Sequence, residues 1–344
     1  MITVYSPAHK DHWGQGEFFA GRMMDCYEVP ERAARILASV QALNLGPVVA
    51  PPSLDHALLS KVHDADYLEF LETIHAHWVS ENGDCDAFPY VFLSGRSVRP
   101  ATAAVARLGQ FATDACSPIT AQTWTAACAS AASAVHAAEL LRAADEPVMA
   151  LCRPPGHHAG RRSYGGYCFL NNGALAAERL LQAGAGRVAI LDIDNHHGNG
   201  TQEIFYERSD VMTVSIHGTP DIQFPWFTGY SDETGAGKGE GFNLNRPLQA
   251  NSDLAAYEHA LIGCLDHIGR YGPDAIIVAL GVDAGEGDPT SQLRIDTSGF
   301  AAIGARIASL AIPTVFIMEG GYNLDRIGGD VGAFLQGWHA ARRT

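Results

Sequence analysis

The chain has 344 residues, 47% of them hydrophobic and 18% charged, and a formal net charge of −15 at pH 7. That is the composition of an ordinary soluble globular protein, and its acidic balance argues against a nucleic-acid partner while favouring a cationic one. Seven irregularly spaced cysteines with no Cys-x-x-Cys suggest neither a disulfide framework nor a thiolate zinc site, and fit a reducing cytoplasm best.

Strand candidates in chain order are Ile2–Tyr5, Val148–Cys152, Val188–Ile193, Val211–Ile216, Ala275–Val282 and Thr314–Met318. The amino terminus turns polar too early for a secretory signal, and the longest apolar runs are of strand length, so no membrane partner is expected. Helical periodicity predicts helices over Ala126–Arg142, Ala174–Ala183, Leu254–Tyr271, Ser298–Leu310 and Asp325–Ala341. Strand–helix alternation from residue 148 onward predicts one α/β domain over 1–344, with a central, mostly parallel sheet flanked by helices on both faces. Residues 80–101 show no helical period and carry Phe88, Tyr90 and Phe92, which marks an inserted loop.

Four strands end in chemistry-bearing residues. Val148–Cys152 runs into Arg153-Pro154-Pro155-Gly156-His157-His158. Val188–Ile193 runs into Asp194-Asn195-His196-His197-Gly198-Asn199-Gly200. Ala275–Val282 meets Asp283, with Asp288 beyond, and Thr314–Met318 meets Glu319-Gly320-Gly321-Tyr322. The carboxyl ends of parallel strands are where ligands bind in open α/β sheets. Asp194 and His196, two apart on an extended segment, project to one side, and Asp283 would complete a three-ligand site for zinc or iron(II). His157 and His158 offer a base for water, and Tyr322 a donor to an oxyanion. Two positive charges on adjacent imidazoles are unfavourable, so one of the pair should act electrostatically. The sum is hydrolysis of an amide or ester carbonyl. No P-loop, dinucleotide fingerprint or Gly-x-Ser-x-Gly elbow competes.

With Gly165-Gly166-Tyr167-Cys168-Phe169-Leu170-Asn171-Asn172, these motifs resemble the zinc-dependent deacetylase superfamily of arginase-like fold, most of all its acetylpolyamine amidohydrolases. The resemblance implies Zn2+ on Asp194, His196 and Asp283. It implies His158 as general base and acid, His157 as its electrostatic partner supported by Asp192, and Tyr322 as polariser of the carbonyl. It further implies a structural K+ at Asp192 and Ser215 with the backbone of Asp194, His196 and Ile216. A second monovalent site would lie around Phe205, Arg208 and Val211. Gly166 would accept the substrate amide proton, Tyr167 and Phe224 would wall a narrow tunnel, and Arg32 would mark an inner acetate channel. Asn199 stands where many histone deacetylases have Asp. Glu17 matches an acidic residue associated with the distal ammonium of the substrate. Further acidic positions expected near 105–116 fall on Val105 and Cys116. The inserted loop is implied to build a homodimer and to narrow the tunnel.

The expected activity is therefore removal of acetyl from a small cationic amine such as N-acetylputrescine or N-acetylcadaverine. A broader deacylase acting on acetyl-lysine, a binding protein that has lost catalysis, and a dimanganese arginase-like site are the alternatives.

Overall fold

A computed structural model describes residues 1–93, 101–141 and 146–343. In chain order the strands are β1 (Ile2–Tyr5), β2 (Glu17–Phe19), β3 (Arg22–Met24), β4 (Val48–Val49), β5 (Val148–Leu151), β6 (Val188–Asp192), β7 (Val211–Gly218), β8 (Asn243–Leu248), β9 (Ala275–Leu280) and β10 (Thr314–Met318). The helices are α1 (Pro30–Leu43), α2 (His56–Val62), α3 (Ala65–Asn82), α4 (Ala104–Phe111), α5 (Thr123–Leu141), α6 (Asn172–Gln182), α7 (Asn199–Phe205), α8 (Leu254–Tyr271), α9 (Thr297–Ala308) and α10 (Ile327–Arg342).

Eight strands form one sheet in the order β4-β1-β5-β10-β9-β6-β7-β8, and every neighbouring pair is parallel. The continuous apolar runs follow from burial on both faces. Val188 and Ile190 of β6 join one core with residues of α2, α3, α5 and α6, while Ala189 and Leu191 join the other with residues of α1, α8, α9 and α10. The predicted α/β class and all six predicted strands are present.

Elements with weaker patterns differ from expectation. β8, Asn-Leu-Asn-Arg-Pro-Leu, is polar and contains Pro247, as an edge strand tolerates. The inserted loop begins later than predicted, because α3 continues to Asn82 and stops at Gly83, whose φ of 85° few other residues adopt. Part of that loop, 94–100, lies outside the described residues.

The sheet order brings β5, β10, β9 and β6 side by side. These are the four strands whose ends carry the candidate chemistry, so all four motifs emerge on one edge. Helix α6 secures the first of them. Its cap residue Asn171 accepts from Ala174 N and donates to the Ala159 carbonyl, 3.0 Å away. Asn172 donates to the Pro154 carbonyl.

Helices α9 and α10 pack with almost no gap: a Cβ at Gly337 would lie 1.9 Å from the Ala301 carbonyl oxygen. Gly337→Leu should force these helices apart and destabilise the fold by about 1–3 kcal/mol or more. Urea denaturation would show this as a lowered midpoint.

Candidate active site

Three ligand atoms, one each from Asp194, His196 and Asp283, lie within 4.8 Å of one another, and all three residues are buried. His196 Nδ1 faces Asp194 Oδ1 at 3.2 Å and Asp283 Oδ2 at 3.0 Å, while its Nε2 lies 3.0 Å from the Gln223 amide, which holds the ring in place. Backbone amides support the carboxylates from behind. Asp194 Oδ2 accepts from Gly320 N and Asp283 Oδ1 accepts from Asn195 N. Gly320 has no alternative, since a Cβ there would sit 2.3 Å from Asp283 Oδ2 and 2.5 Å from Asp194 Oδ2.

Burial makes a second negative charge costly here. It pushes the Asp283 carboxyl up to about 7, with the Asp194 charge adding to the effect. Burial also opposes an imidazolium at His196, yet the two carboxylates outweigh it and raise that ring to about 10. The cluster thus demands positive charge. Two carboxylates and one imidazole, with no thiolate among them, fit a divalent ion of zinc's character and leave a coordination position for substrate or water.

His157 and His158 stand beside this cluster with ring centroids 4.0 Å apart. His157 Nδ1 meets Asp192 Oδ2 at 2.9 Å. Burial opposes its charge, but Asp192 and Asp194 prevail and hold it well above the usual histidine range. His158 Nδ1 meets the neutral Asn199 Oδ1 at 2.7 Å. Burial, together with His157 and His196, drives it well below that range, so it remains a neutral base at neutral pH. The adjacent histidines therefore divide into one charged and one neutral ring, set at His157 by Asp192 and Asp194 and at His158 by burial and the neighbouring rings, which the neutral Asn199 offsets only in part.

Tyr322 closes the site. Its backbone N–H and that of Asn323 both donate to Asp288 Oδ2. Burial raises its phenol well above the ordinary value, keeping it a proton donor. A cavity of about 490 Å³ reaches it, lined among others by His158, Gly166, Tyr167, His196, Phe224 and Tyr322.

The histone deacetylase domain matches residues 26–338. The chain belongs to that deacetylase family. It is 46% identical to acetylpolyamine amidohydrolase 1 of Pseudomonas aeruginosa over the full length of both chains. It is 42% identical to the acetylpolyamine amidohydrolase of Mycoplana ramosa, covering 98% of this chain and 99% of that one. It matches the crystal structure of acetylpolyamine aminohydrolase from Burkholderia pseudomallei with a TM-score of 0.94, at 40% identity over 99% of each chain. The HDA15 HD domain matches with a TM-score of 0.82, at 26% identity over 98% of this chain and 90% of that one.

Aromatic rings line the cavity. Tyr167 lies 5.5 Å from Tyr322, and Phe224 stands edge-on to His158 at 4.9 Å. Gly166 and Tyr167 both have positive φ, 54° and 66°, and a Cβ on Gly166 would strike His158 Cδ2 at 2.2 Å. Glu17 does not line this cavity. It is fully buried behind the tunnel wall, where it accepts from Tyr167 Oη at 3.0 Å and from Tyr27 N at 3.2 Å. Burial raises its carboxyl to about 7.

No acidic residue stands at Val105 or Cys116, but Asp114 stands two residues before Cys116. It lines the cavity and accepts from the backbone N–H of Gly166 and Cys116. Only the fold could show this, because Val105, on α4, packs instead against the core. Glu28 and Arg153 were also missed. Arg32 donates to the carbonyls of Gly321 and Glu319 and to Glu28, and its guanidinium carbon lies 4.6 Å from the Tyr322 ring centroid. Arg153 pairs with the same Glu28 oxygen at 2.9 Å. The conspicuous His197 takes no part in the cluster: it pairs with Thr228 and Gln202.

The predicted cation residues are placed less tellingly. Asp192 and Ser215 are register partners on β6 and β7, with Ser215 Oγ 2.7 Å from His217 Nδ1. The Phe205 carbonyl accepts from Arg208 N, whose guanidinium pairs with Glu178 and Asp210, and Val211 begins β7.

Two outcomes follow for the site. Asn199→Asp places a carboxylate against His158 and favours its charged form. The acidic limb of the kcat/KM–pH profile should therefore move to higher pH by on the order of one unit. Asp283→Ala should leave the chain folded by circular dichroism but strip it of bound metal in elemental analysis.

Proposed function

We propose that this deacetylase hydrolyses the acetyl-amide bond of acetylated polyamines such as N-acetylputrescine or N-acetylcadaverine, releasing acetate and the free amine. What supports this reading is a cavity lined by Tyr167, Phe224, His158 and Tyr322, in a chain alike over its whole length to proteins described as acetylpolyamine amidohydrolases. An extended alkyl chain fits between two facing rings, whereas a bulky residue does not.

Asp194, His196 and Asp283 would hold zinc, which when bound supplies Lewis acidity toward the substrate carbonyl oxygen and the attacking water. His158, kept neutral, takes the proton of that water and passes it to the departing amine nitrogen. His157, kept cationic by Asp192, stabilises the negative charge that develops. The Tyr322 phenol donates to the carbonyl oxygen as it becomes an oxyanion. The Gly166 carbonyl accepts the substrate N–H, which orients the scissile bond. The −15 net charge favours approach of a cationic amine. Glu17 and Asp114 place carboxyl groups behind and along the cavity, and Arg32 would border an inner acetate channel.

Other features belong to the same proposal. A homodimer involving the inserted loop is supported by exposed Tyr90, Val91 and Phe92, and by Phe18, Phe19 and Met23 of the β2–β3 hairpin. A structural K+ at Asp192 and Ser215 would add positive charge beside the buried Asp192 carboxylate. The second monovalent site would rest on the backbone near Phe205, Arg208 and Val211. Seven free cysteines support a cytoplasmic setting.

Tyr322→Phe should lower kcat by about 10²–10³-fold with KM and metal content little changed, because it removes a donor used mainly in the transition state. A panel of N-acetylputrescine, N-acetylcadaverine, acetylspermidines and an acetyl-lysine peptide tests the substrate. The small amines should lead by at least about tenfold in kcat/KM. A clear lead for the peptide would establish the broader deacylase instead.

A further inference from the structure

A second group of metal-capable side chains lies beside the first. One ligand atom each from His157, Cys168 and Glu319 falls within 4.8 Å of the others, and all three residues are buried. Their positions are set independently of any ion. His157 Nδ1 is held by Asp192, which leaves Nε2 as its remaining donor atom. Glu319 Oε2 accepts from the backbone N–H of Gly156 at 2.6 Å and of His157 at 3.1 Å. Its other oxygen, Oε1, is fully buried and has no hydrogen-bond partner. A carboxylate oxygen left bare in the interior is costly and marks a position built for a positive or protonated group. The Cys168 thiol donates to the Gly166 carbonyl at 3.3 Å.

We propose that His157, Cys168 and Glu319 form a second, inhibitory site for a thiophilic divalent cation such as Zn2+ or Co2+. Imidazole, thiolate and carboxylate together suit zinc-like ions, and the two anionic groups would balance the charge of a divalent ion. Binding breaks the Cys168 S–H bond and the His157 Nε2–H bond, forms a metal–sulfur and a metal–nitrogen bond and releases both protons to solvent, with no change of oxidation state. Occupation uses the Nε2 of His157, the ring that stabilises charge in the reaction, and so stops turnover. The site is weaker than its neighbour, because His157 Nε2 lies 3.8 Å from Asp194 Oδ1 and two dications so close repel each other. It therefore fills only when metal exceeds one equivalent. The inference rests on Asp194, His196 and Asp283 holding the resident ion.

Titration of metal-free protein with Co2+ tests it, read by absorption and by deacetylation of N-acetylputrescine. The first equivalent should restore activity without a thiolate-to-cobalt charge-transfer band, since no sulfur joins that set. The second should produce the band in the near ultraviolet and abolish activity. Cys168→Ser should keep its activity in excess cobalt and show no band, whereas Cys85→Ser, altered at an exposed thiol, should behave as the parent. Glu319→Gln should weaken the second event by at least about tenfold; this variant decides the matter if Cys168→Ser does not fold. Absence of a second event in the parent, or a band that survives Cys168→Ser, overturns the second site alone. A first equivalent that restores no activity overturns the reading of the first.

Discussion

Asp194 and Asp283 carry two carboxylates into the same dry space around His196, and neither has any exposure to solvent. Two negative charges at that separation cannot both persist in a low-dielectric interior without a cation. Much of the surrounding architecture answers that constraint. Backbone amides of Gly320 and Asn195 bond to the carboxylates. His196 takes position between them, and Gly320 keeps its neighbourhood free of side chains. The same negative field reaches His157 and helps keep it charged, which in turn helps keep His158 neutral. The unequal protonation of two adjacent histidines thus follows from burial together with the carboxylates of Asp192 and Asp194.

A second layer of buried charge holds this arrangement together from behind. Glu28 binds two guanidinium groups through one oxygen. Arg32 ties it to the segment carrying Tyr322, while Arg153 ties it to the base of the His157–His158 loop and to the carbonyls of His9 and His12. A buried charge that has lost its partner costs several kcal/mol, so such a group specifies one arrangement strongly. Tyr167 is held in the same manner by Glu17. Tyr167, Tyr322 and the His157–His158 loop therefore rest on a common set of ion pairs and hydrogen bonds rather than on loop packing alone.

How much of this was legible depended on the range of the interaction. Val188–Asp192 and Ala275–Leu280 were readable as strands because burial on both faces demands unbroken apolar runs. Helix α8 matched its periodicity to the residue, with Asp253 capping it and Gly272 ending it in a left-handed conformation. β8 and the β2–β3 hairpin were not readable, since edge and hairpin strands carry no such run. α1 through α4 and the short α7 also escaped. In α3 the apolar residues Tyr67, Phe70, Leu71, Ile74 and Trp78 do recur with helical spacing, a signal that was present and went unused. Asp114 lay inside the interval searched for acidic groups, but an alignment of positions cannot say which of several neighbours turns toward a cavity.

By itself the sequence determined the parallel sheet, the chemistry at four of its strand ends and the family resemblance, because apolar runs, His-Asp spacing and paired glycines are local properties. Tertiary structure alone decided the rest. It set β5, β10, β9 and β6 side by side, gave Asp192 to one histidine and Asn199 to the other, moved Glu17 behind the tunnel wall, and joined Glu28 to Arg153 across the fold. Each of these is a choice among partners far apart in the chain. Such choices are made by burial and charge together, and local pattern holds no record of them.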